Sequence, residues 1–173
     1  MYQIFPDRFF QAGVCDLTGK ITPYWVHENK DDVPVYLPNA NGEVLNNDFY
    51  GGNLNGIREK LPYLHALGVE ILYLNPIFYA WSTHRYDTCD YKRIDPMLGS
   101  EADFRALCGA AHALGMKIIL DGVFNHVSSD HPFFRDVLEK GRASRYYSCF
   151  YALPETPRLP AAGELPGYTC FSY

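Results

Sequence analysis

The sequence lacks closely spaced cysteine pairs and long hydrophobic runs. Its 173 residues include five cysteines, an odd number, and no Cys-x-x-Cys pair, which argues against zinc-ribbon and thioredoxin-like sites. No apolar run approaches the roughly 18 residues of a membrane span. The chain also does not open with the basic and then apolar segment of a signal peptide. Because unpaired thiols are typical of reducing compartments, the sequence predicts a cytoplasmic protein with no membrane partner.

A strong excess of one charge is also missing. The 15 Lys and Arg residues are interspersed with 20 Asp and Glu residues, for a net charge of -5, so nucleic acid is not an expected partner. Apolar residues make up 47% and charged residues 20% of the chain, which is typical of a globular domain with a real core. The 14 Tyr, 11 Phe and 2 Trp suit sugar stacking, but most aromatic residues are core material.

A short segment occurs twice, 47 residues apart. His65 to Leu72 is similar to His112 to Ile119, and each copy reads as the end of a helix, a glycine and then a strand. Gly68 and Gly115 are predicted to take the left-handed conformation that closes a helix, because glycine has no Cβ to clash there.

Apolar residues at helical spacing precede both copies and predict two helices. They are Leu54, Ile57, Leu61, Leu64 and Leu67 in the first helix, and Phe104, Leu107, Ala111 and Leu114 in the second. Ser100 and Asp103 predict a capping box, whereas Pro62 predicts a kink or a late start of the first helix. With an early strand from Tyr2 to Phe5, the order of elements predicts a parallel α/β sheet. A closed barrel needs about 250 residues, so the expected fold is an incomplete (β/α)8 TIM barrel of about the first three strands.

Two long irregular segments flank this pattern. The segment 10–49 far exceeds usual connection lengths, which predicts a functional loop between the first strand and the first helix. The segment 127–173 holds five of the twelve prolines and shows no further clear strand. We therefore expect residues 1–126 to form the N-terminal part of a barrel, and residues 127–173 to begin an incomplete excursion after the third strand.

Polar residues follow the second and the third predicted strands, which end before Asn75 and before Asp121. An apolar run ends at Asp121, with Asn125 and His126 close behind, and Asn75 follows the preceding strand, with His84 to Asp87 after it. The carboxyl ends of parallel strands meet at one edge, where ligands bind in barrels and open α/β sheets. The sequence therefore predicts a binding site at this edge.

Structural roles are the alternative for the same residues. Asp121 alone would be explained by capping a turn, and Tyr86 and Asp87 would then only order a loop and pair with Arg85 or Arg93. Two consecutive strands with polar residues at one edge favour the site.

Several ordered motifs carry a resemblance to a known family. They are Tyr2-Gln3-Ile4-Phe5-Pro6-Asp7-Arg8-Phe9, Tyr50-Gly51-Gly52-Asn53-Leu54, His84-Arg85-Tyr86-Asp87-Thr88, Ile94-Asp95-Pro96 and the segment from Asp121 to His126. Residues 1 to about 135 resemble the N-terminal part of the α-amylase family of glycoside hydrolases. Within it, the chain is most similar to the branch of neopullulanases, maltogenic amylases and cyclomaltodextrinases.

The resemblance implies a retaining attack on α-glucosidic bonds of starch-like glucans, in which one carboxylate attacks and a second carboxyl group acts as the acid. The family takes its nucleophile from a Gly-x-Arg-x-Asp pattern after the fourth strand and its acid from a glutamate after the fifth. The sequence contains no such pattern, so both residues are expected beyond its C-terminus. The chain is then expected to be a fragment that is inactive alone, with no catalytic residue of its own.

The resemblance also implies roles for five residues. Tyr86 is expected to stack under the sugar ring at the cleavage site, and His84 to line the same subsite. His126 is expected to hydrogen-bond the primary hydroxyl of the sugar. Asp121 would support an arginine that this sequence lacks. Asn125 is a candidate calcium ligand in the intact enzyme, although calcium needs six to eight oxygens.

An α-glucan or maltooligosaccharide is therefore the expected partner, and self-association through exposed barrel edges is expected as well. The alternative to a hydrolase fragment is a non-catalytic carbohydrate-binding or regulatory module derived from the same family. The coding sequence downstream of Tyr173 distinguishes the two, because only the fragment continues into the Gly-x-Arg-x-Asp pattern.

Overall fold

The computed structural model describes residues 1–35, 37–40, 42, 44–151, 153 and 156–159. Its elements, in chain order, are β1 (Tyr2–Ile4), α1 (Pro6–Phe9), β2 (Trp25–Val26), β3 (Asp48–Phe49), α2 (Leu54–Ala66), β4 (Ile71–Leu74), β5 (Phe78–Ala80), β6 (Thr88–Ile94), α3 (Glu101–Ala113), β7 (Lys117–Leu120) and α4 (Pro132–Lys140), followed by two short 3-10 turns (Gly141–Ala143 and Tyr147–Cys149).

A parallel sheet with the strand order β1-β4-β7 forms the centre of the fold. Ile4 lies opposite Leu74, and Leu74 lies opposite Leu120, so all three strands end at the same edge. The predicted parallel arrangement is confirmed. The sheet is not closed within the described residues, which confirms an incomplete barrel of three strands.

The two predicted helices return the chain between these strands, and their end signals are the expected ones. The Ser100 and Asp103 side chains form the predicted capping box at the start of α3. Gly68 and Gly115 have φ angles of 79° and 73°, as a left-handed helix end requires. The late start predicted from Pro62 is wrong, because α2 already begins at Leu54. There the Asn53 side chain accepts a hydrogen bond from the Gly56 N–H and caps the helix.

The main core lies between this sheet and the two helices. Its fully buried members are Ile4, Leu54, Ile57, Leu61, Leu64, Leu72, Leu74, Ile77, Leu98, Leu107, Ala111 and Met116. The apolar positions of α2 face the strands, so burial rather than helix propensity fixes where the helix lies. The packing of α2 and α3 against the sheet therefore supports the strands that end at its carboxyl edge.

Several short elements were not predicted. A pair of antiparallel strands, β5 and β6, follows β4 with two register shifts, and α4 packs with Phe150 in a second small cluster. The long segment 10–49 contains a short parallel pair of strands, β2 and β3. The boundary expected at residue 126 stays a prediction, and most of the segment 154–173 lies outside the described residues. No helix among those described is long and apolar enough to cross a membrane.

Candidate functional site

The carboxyl edge of the sheet brings the two predicted polar clusters together. Asn75 directly follows β4, and its N–H donates to the Ile4 carbonyl at 3.0 Å. Asp121 directly follows β7, and its N–H donates to the Leu74 carbonyl at 3.0 Å. The ladder of the sheet thus continues one residue beyond each strand and places both side chains at the edge.

Tyr86 joins these clusters through its hydroxyl group. The hydroxyl donates to Asp121 Oδ2 at 2.7 Å, and it lies 3.4 Å from the Asn75 Nδ2 donor. The Asn75 Oδ1 atom in turn accepts from Gln3 Nε2 at 2.9 Å. One hydrogen-bonded row therefore crosses the ends of all three strands. Gln3 was missed by sequence reasoning, because a polar residue inside a three-residue strand gives no signal of its own.

His84 lies beside Tyr86 as a neutral base with a defined tautomer. Its Nδ1 atom is 3.0 Å from the Tyr86 N–H, which can only donate, so Nδ1 accepts and Nε2 carries the proton. Burial lowers the pKa of His84, although the Asp87 carboxylate opposes the shift. The ring centroids of His84 and Tyr86 are 5.9 Å apart, so an N–H donor stands next to the phenol ring.

His126 holds the same turn from the other side. Its Nε2 atom lies 3.0 Å from the Tyr86 carbonyl oxygen, and because a carbonyl only accepts, Nε2 is the donor. The family resemblance implies that His126 hydrogen-bonds a sugar hydroxyl. Nδ1 is then the accepting ring nitrogen, and it lies 3.4 Å from the Asn125 side-chain amide.

Asn125 is exposed, and its amide oxygen is a suitable hard ligand for calcium. However, the described residues contain no group of three or more His, Cys, Asp or Glu side chains that could hold a metal ion. Calcium takes six to eight oxygens. The described residues therefore do not fit a calcium ion by themselves, and no step of the chemistry below depends on one.

Asp87 has the structural role that the alternative interpretation gave it, but with different partners. Its carboxylate accepts hydrogen bonds from the Trp81 and Ser82 N–H groups, both at 3.2 Å, and from the Ser82 hydroxyl. Arg85 points away from it and pairs with Asp95 at 2.9 Å. Asp87 thus closes the turn that presents His84 and Tyr86.

The contact between Tyr86 and Asp121 leads to a prediction about titration. The hydrogen bond to the Asp121 carboxylate, with burial as the second cause, raises the pKa of Tyr86 to about 12. An unperturbed tyrosine titrates near pH 10. The protonated Tyr86 hydroxyl therefore contributes to the free energy of unfolding. This contribution is fully present below about pH 10 and is lost as the pH rises to about 12.

We expect the ¹³Cζ resonance of Tyr86, identified by its loss in Tyr86→Phe, to titrate with a midpoint near 12. In Asp121→Asn the midpoint should fall toward 10. A midpoint near 10 in the unmodified chain would contradict the geometry.

The arrangement presents a flat ring, a neutral imidazole N–H and a carboxylate that is already bound to a phenol. These groups suit a neutral ligand with an apolar face and many hydroxyls. They do not form a nucleophile and acid pair, because Asp121 is the only carboxylate in the hydrogen-bonded row.

Comparisons with known proteins identify the family of this chain. The family model for the alpha amylase catalytic domain matches residues 3–170. The amylopullulanase of Thermoanaerobacterium saccharolyticum is 46% identical over 145 residues, which are 78% of this chain and 11% of that protein. Neopullulanase 2 of Thermoactinomyces vulgaris is 45% identical over 152 residues, which are 87% of this chain and 23% of that protein.

The fold of the chain is also similar to that of a solved structure. The type III pullulan hydrolase of Thermococcus kodakarensis superposes with a TM-score of 0.75 at 37% identity, over 92% of this chain and 29% of that one. The chain thus spans between 11% and 23% of the length of the two curated relatives above. It belongs to the α-amylase family of glycoside hydrolases, and it corresponds to part of the catalytic domain.

Proposed function

We propose that this chain is the N-terminal part of the catalytic barrel of a retaining α-glucan hydrolase. We also propose that it supplies one wall of the sugar-binding site, formed by His84, Tyr86, Asp121 and His126. The observation that carries the proposal is the position of Tyr86. Its hydroxyl is bound to Asp121 at 2.7 Å, and its backbone is held by His84 and His126. The ring is thereby fixed at the edge where barrels bind their ligands.

Each of these residues has a proposed role that follows from its contacts. The Tyr86 ring packs against the apolar face of a glucose unit and favours positive charge in an oxocarbenium-like transition state. His84 donates its Nε2–H to a sugar hydroxyl, and His126 accepts a hydrogen bond from a sugar hydroxyl at Nδ1. Asp121 holds the Tyr86 ring rather than reacting.

The reacting carboxylates are proposed to lie outside the described residues. A retaining enzyme needs two carboxyl groups about 5 to 5.5 Å apart across the glycosidic bond. Asp121 is occupied by the Tyr86 hydroxyl, and the sequence has no Gly-x-Arg-x-Asp pattern. The wall therefore binds the sugar without cleaving it.

Calorimetric titration with maltotriose tests the proposed binding. We expect saturable binding of maltotriose and much weaker binding of cellotriose, because the β-linked trisaccharide presents its rings in a different orientation to a fixed aromatic face. Equal affinity for both sugars, or no binding of maltotriose, would overturn the proposed substrate class.

The 173-residue polypeptide is also expected to release no reducing sugar from maltotriose or pullulan. The physical reason is the missing pair of carboxyl groups, without which neither attack nor protonation of the leaving oxygen occurs. The assay should be run beside Tyr86→Ala, because a contaminating hydrolase would be unaffected by that change. Release of sugar that Tyr86→Ala abolishes would refute the prediction.

Self-association through the edge of the sheet is a further expectation. Strand β7 pairs with β4 on one side, and no described strand pairs with its other side. Ile119 on this strand is 42% exposed, and an unpaired apolar strand edge invites pairing with another copy. Sedimentation velocity should show a mass that rises with concentration, and Ile119→Lys should reduce the effect. Tyr63→Lys on α2 is the control. A monomer at every concentration would contradict this expectation.

A further inference from the structure

A buried charged cluster lies behind the turn that carries Tyr86. It consists of Lys20, Arg85 and Asp95, whose side chains are at most 1% exposed. Arg85 Nε donates to Asp95 Oδ2 at 2.9 Å, and Lys20 Nζ pairs with the same carboxylate oxygen.

Arg85 anchors the turn from within. Its Nη1 atom donates to the Thr83 carbonyl at 2.7 Å, and Nη2 lies 3.1 Å from Met97 Sδ. The backbone at Arg85 is left-handed, with a φ angle of 62°, which is unfavourable for a residue with a long side chain. This reversal turns the chain, so that Arg85 points inward while the next residue, Tyr86, reaches the Asp121 carboxylate.

Lys20 brings a distant segment to this anchor. It belongs to the long segment 10–49, and its Nζ atom also donates to the Ala80 carbonyl at 2.7 Å. Two backbone bonds run beside it: the Ile21 N–H donates to Trp81 at 3.3 Å, and the Thr83 N–H donates to Asn46 at 2.9 Å. Residues 20–21 and Asn46 of the long segment therefore lie against residues 80–83 at the start of the turn.

The free energy of burying charged groups bears on the role of this cluster. Buried ion pairs contribute little net stability compared with apolar residues of similar volume, because both ions lose their hydration. Asp7, which is also buried and accepts from Thr83 Oγ1 at 3.1 Å, brings the count to two cations and two carboxylates. The hydrogen bonds of this cluster to Thr83 and Arg85 connect it to the turn at 82–88.

We propose that Lys20 is a positioning residue for the glucan site. Through Asp95 and Arg85 it holds the turn 82–88, and the turn in turn holds the Tyr86 ring. The part of the long segment around Lys20 thereby supports the site without contacting the sugar. This role rests on the proposed function, because it assigns Tyr86 to sugar binding. Lys20 does not touch the sugar.

The state of Lys20 at neutral pH supports this role. Burial, with the neighbouring Arg85 as the second cause, lowers the pKa of Lys20 to about 8, and Asp95 opposes the shift. The ammonium is therefore still mostly charged at pH 7, where the pair with Asp95 is formed.

The test compares Lys20→Met, Lys20→Arg and Lys30→Met in the whole chain at pH 7, at a temperature where each is folded. Lys30 is the matched control, because it belongs to the same segment and its side chain is 83% exposed. Two properties are measured: amide hydrogen exchange of residues 81–87, and the affinity for maltotriose.

We expect Lys20→Met to speed exchange in the turn about tenfold and to raise the Kd for maltotriose about fivefold or more, which corresponds to about 1 kcal/mol or more. Lys20→Arg, which keeps the charge and the hydrogen bond to Asp95, should restore most of both. Lys30→Met should change neither. If Lys20→Met does not fold, Lys20→Gln takes its place, because its amide keeps a bond to Ala80 but removes the charge.

The proposal is overturned if Lys20→Met only lowers the melting temperature and leaves both exchange in the turn and the maltotriose affinity unchanged. It is also overturned if Lys20→Arg restores neither. If the unmodified chain does not bind maltotriose, the proposed function fails, and the exchange measurement alone then decides whether Lys20 holds the turn.

Discussion

Replacing Asp95 with asparagine is expected to lower the free energy of unfolding by about 3–5 kcal/mol. The Asp95 side chain is 0% exposed and faces two cations, Lys20 and Arg85, while its other oxygen accepts from the Met97 N–H at 3.0 Å. An amide has nearly the same shape but no charge, so the change leaves two buried cations without their shared counterion. The loss should appear as a lower urea midpoint at pH 7 and low protein concentration.

Asp31→Asn is the control for this experiment. The Asp31 side chain is 76% exposed and lies 3.9 Å from Lys30, and exposed pairs of this kind contribute at most about 1 kcal/mol. Its unfolding curve should match that of the unmodified chain within about 0.5 kcal/mol. An Asp95→Asn variant as stable as Asp31→Asn would show that the cluster does not hold the fold in the way described.

The second large effect is expected at Tyr86. Tyr86→Ala removes the ring that the proposal places under the sugar, and losing the burial of an aromatic side chain costs about 1.5–3 kcal/mol. The Kd for maltotriose should therefore rise by about 10- to 100-fold. Isothermal titration calorimetry at pH 7 measures the change.

Two further variants separate the ring from its hydroxyl. Tyr86→Phe keeps the ring and loses the hydroxyl contacts with Asp121 and Asn75, so it should weaken binding by a smaller factor than Tyr86→Ala. Tyr63→Ala, at a 60% exposed position on α2, should leave binding unchanged. If Tyr86→Ala and Tyr63→Ala bind maltotriose equally well, the sugar does not bind at this wall.

The parts of the fold that could be predicted from the sequence are those with strong local signals. The helical spacing from Leu54 to Leu67, the capping box at Ser100 and the glycines at 68 and 115 are all encoded in short, continuous stretches of chain. The apolar run before Asp121 likewise predicted both a buried strand and the edge where it ends. These signals sufficed for the order and direction of the central strands.

The missed parts depend on contacts between distant residues or on very short elements. Strand β5 has three residues and pairs with β6 through register shifts, so no alternating pattern marks it. Lys20 and Asp95 are 75 residues apart, and nothing near Lys20 in the sequence indicates a buried partner. The sequence likewise offered pairing of Asp87 with Arg85 or Arg93 as the structural alternative, whereas the fold turns Arg85 toward Asp95.

The structure adds a contact to the role that the resemblance implies for Asp121. Support of an arginine stays a prediction, and within the described residues the carboxylate accepts from the Tyr86 hydroxyl. Asp121 thus links the end of β7 to the turn after β5 and holds the aromatic ring in place.

One measurement tests the central claim most directly: an NMR titration of the ¹³C-tyrosine-labelled chain with maltotriose, with the Tyr86 signals assigned by Tyr86→Phe. We predict that the Tyr86 ring signals shift saturably while the anomeric signals of maltotriose stay intact over the whole incubation. The wall then binds the sugar and does not cleave it. Tyr86 signals that do not move at saturating sugar, or the appearance of glucose and maltose, would contradict the account.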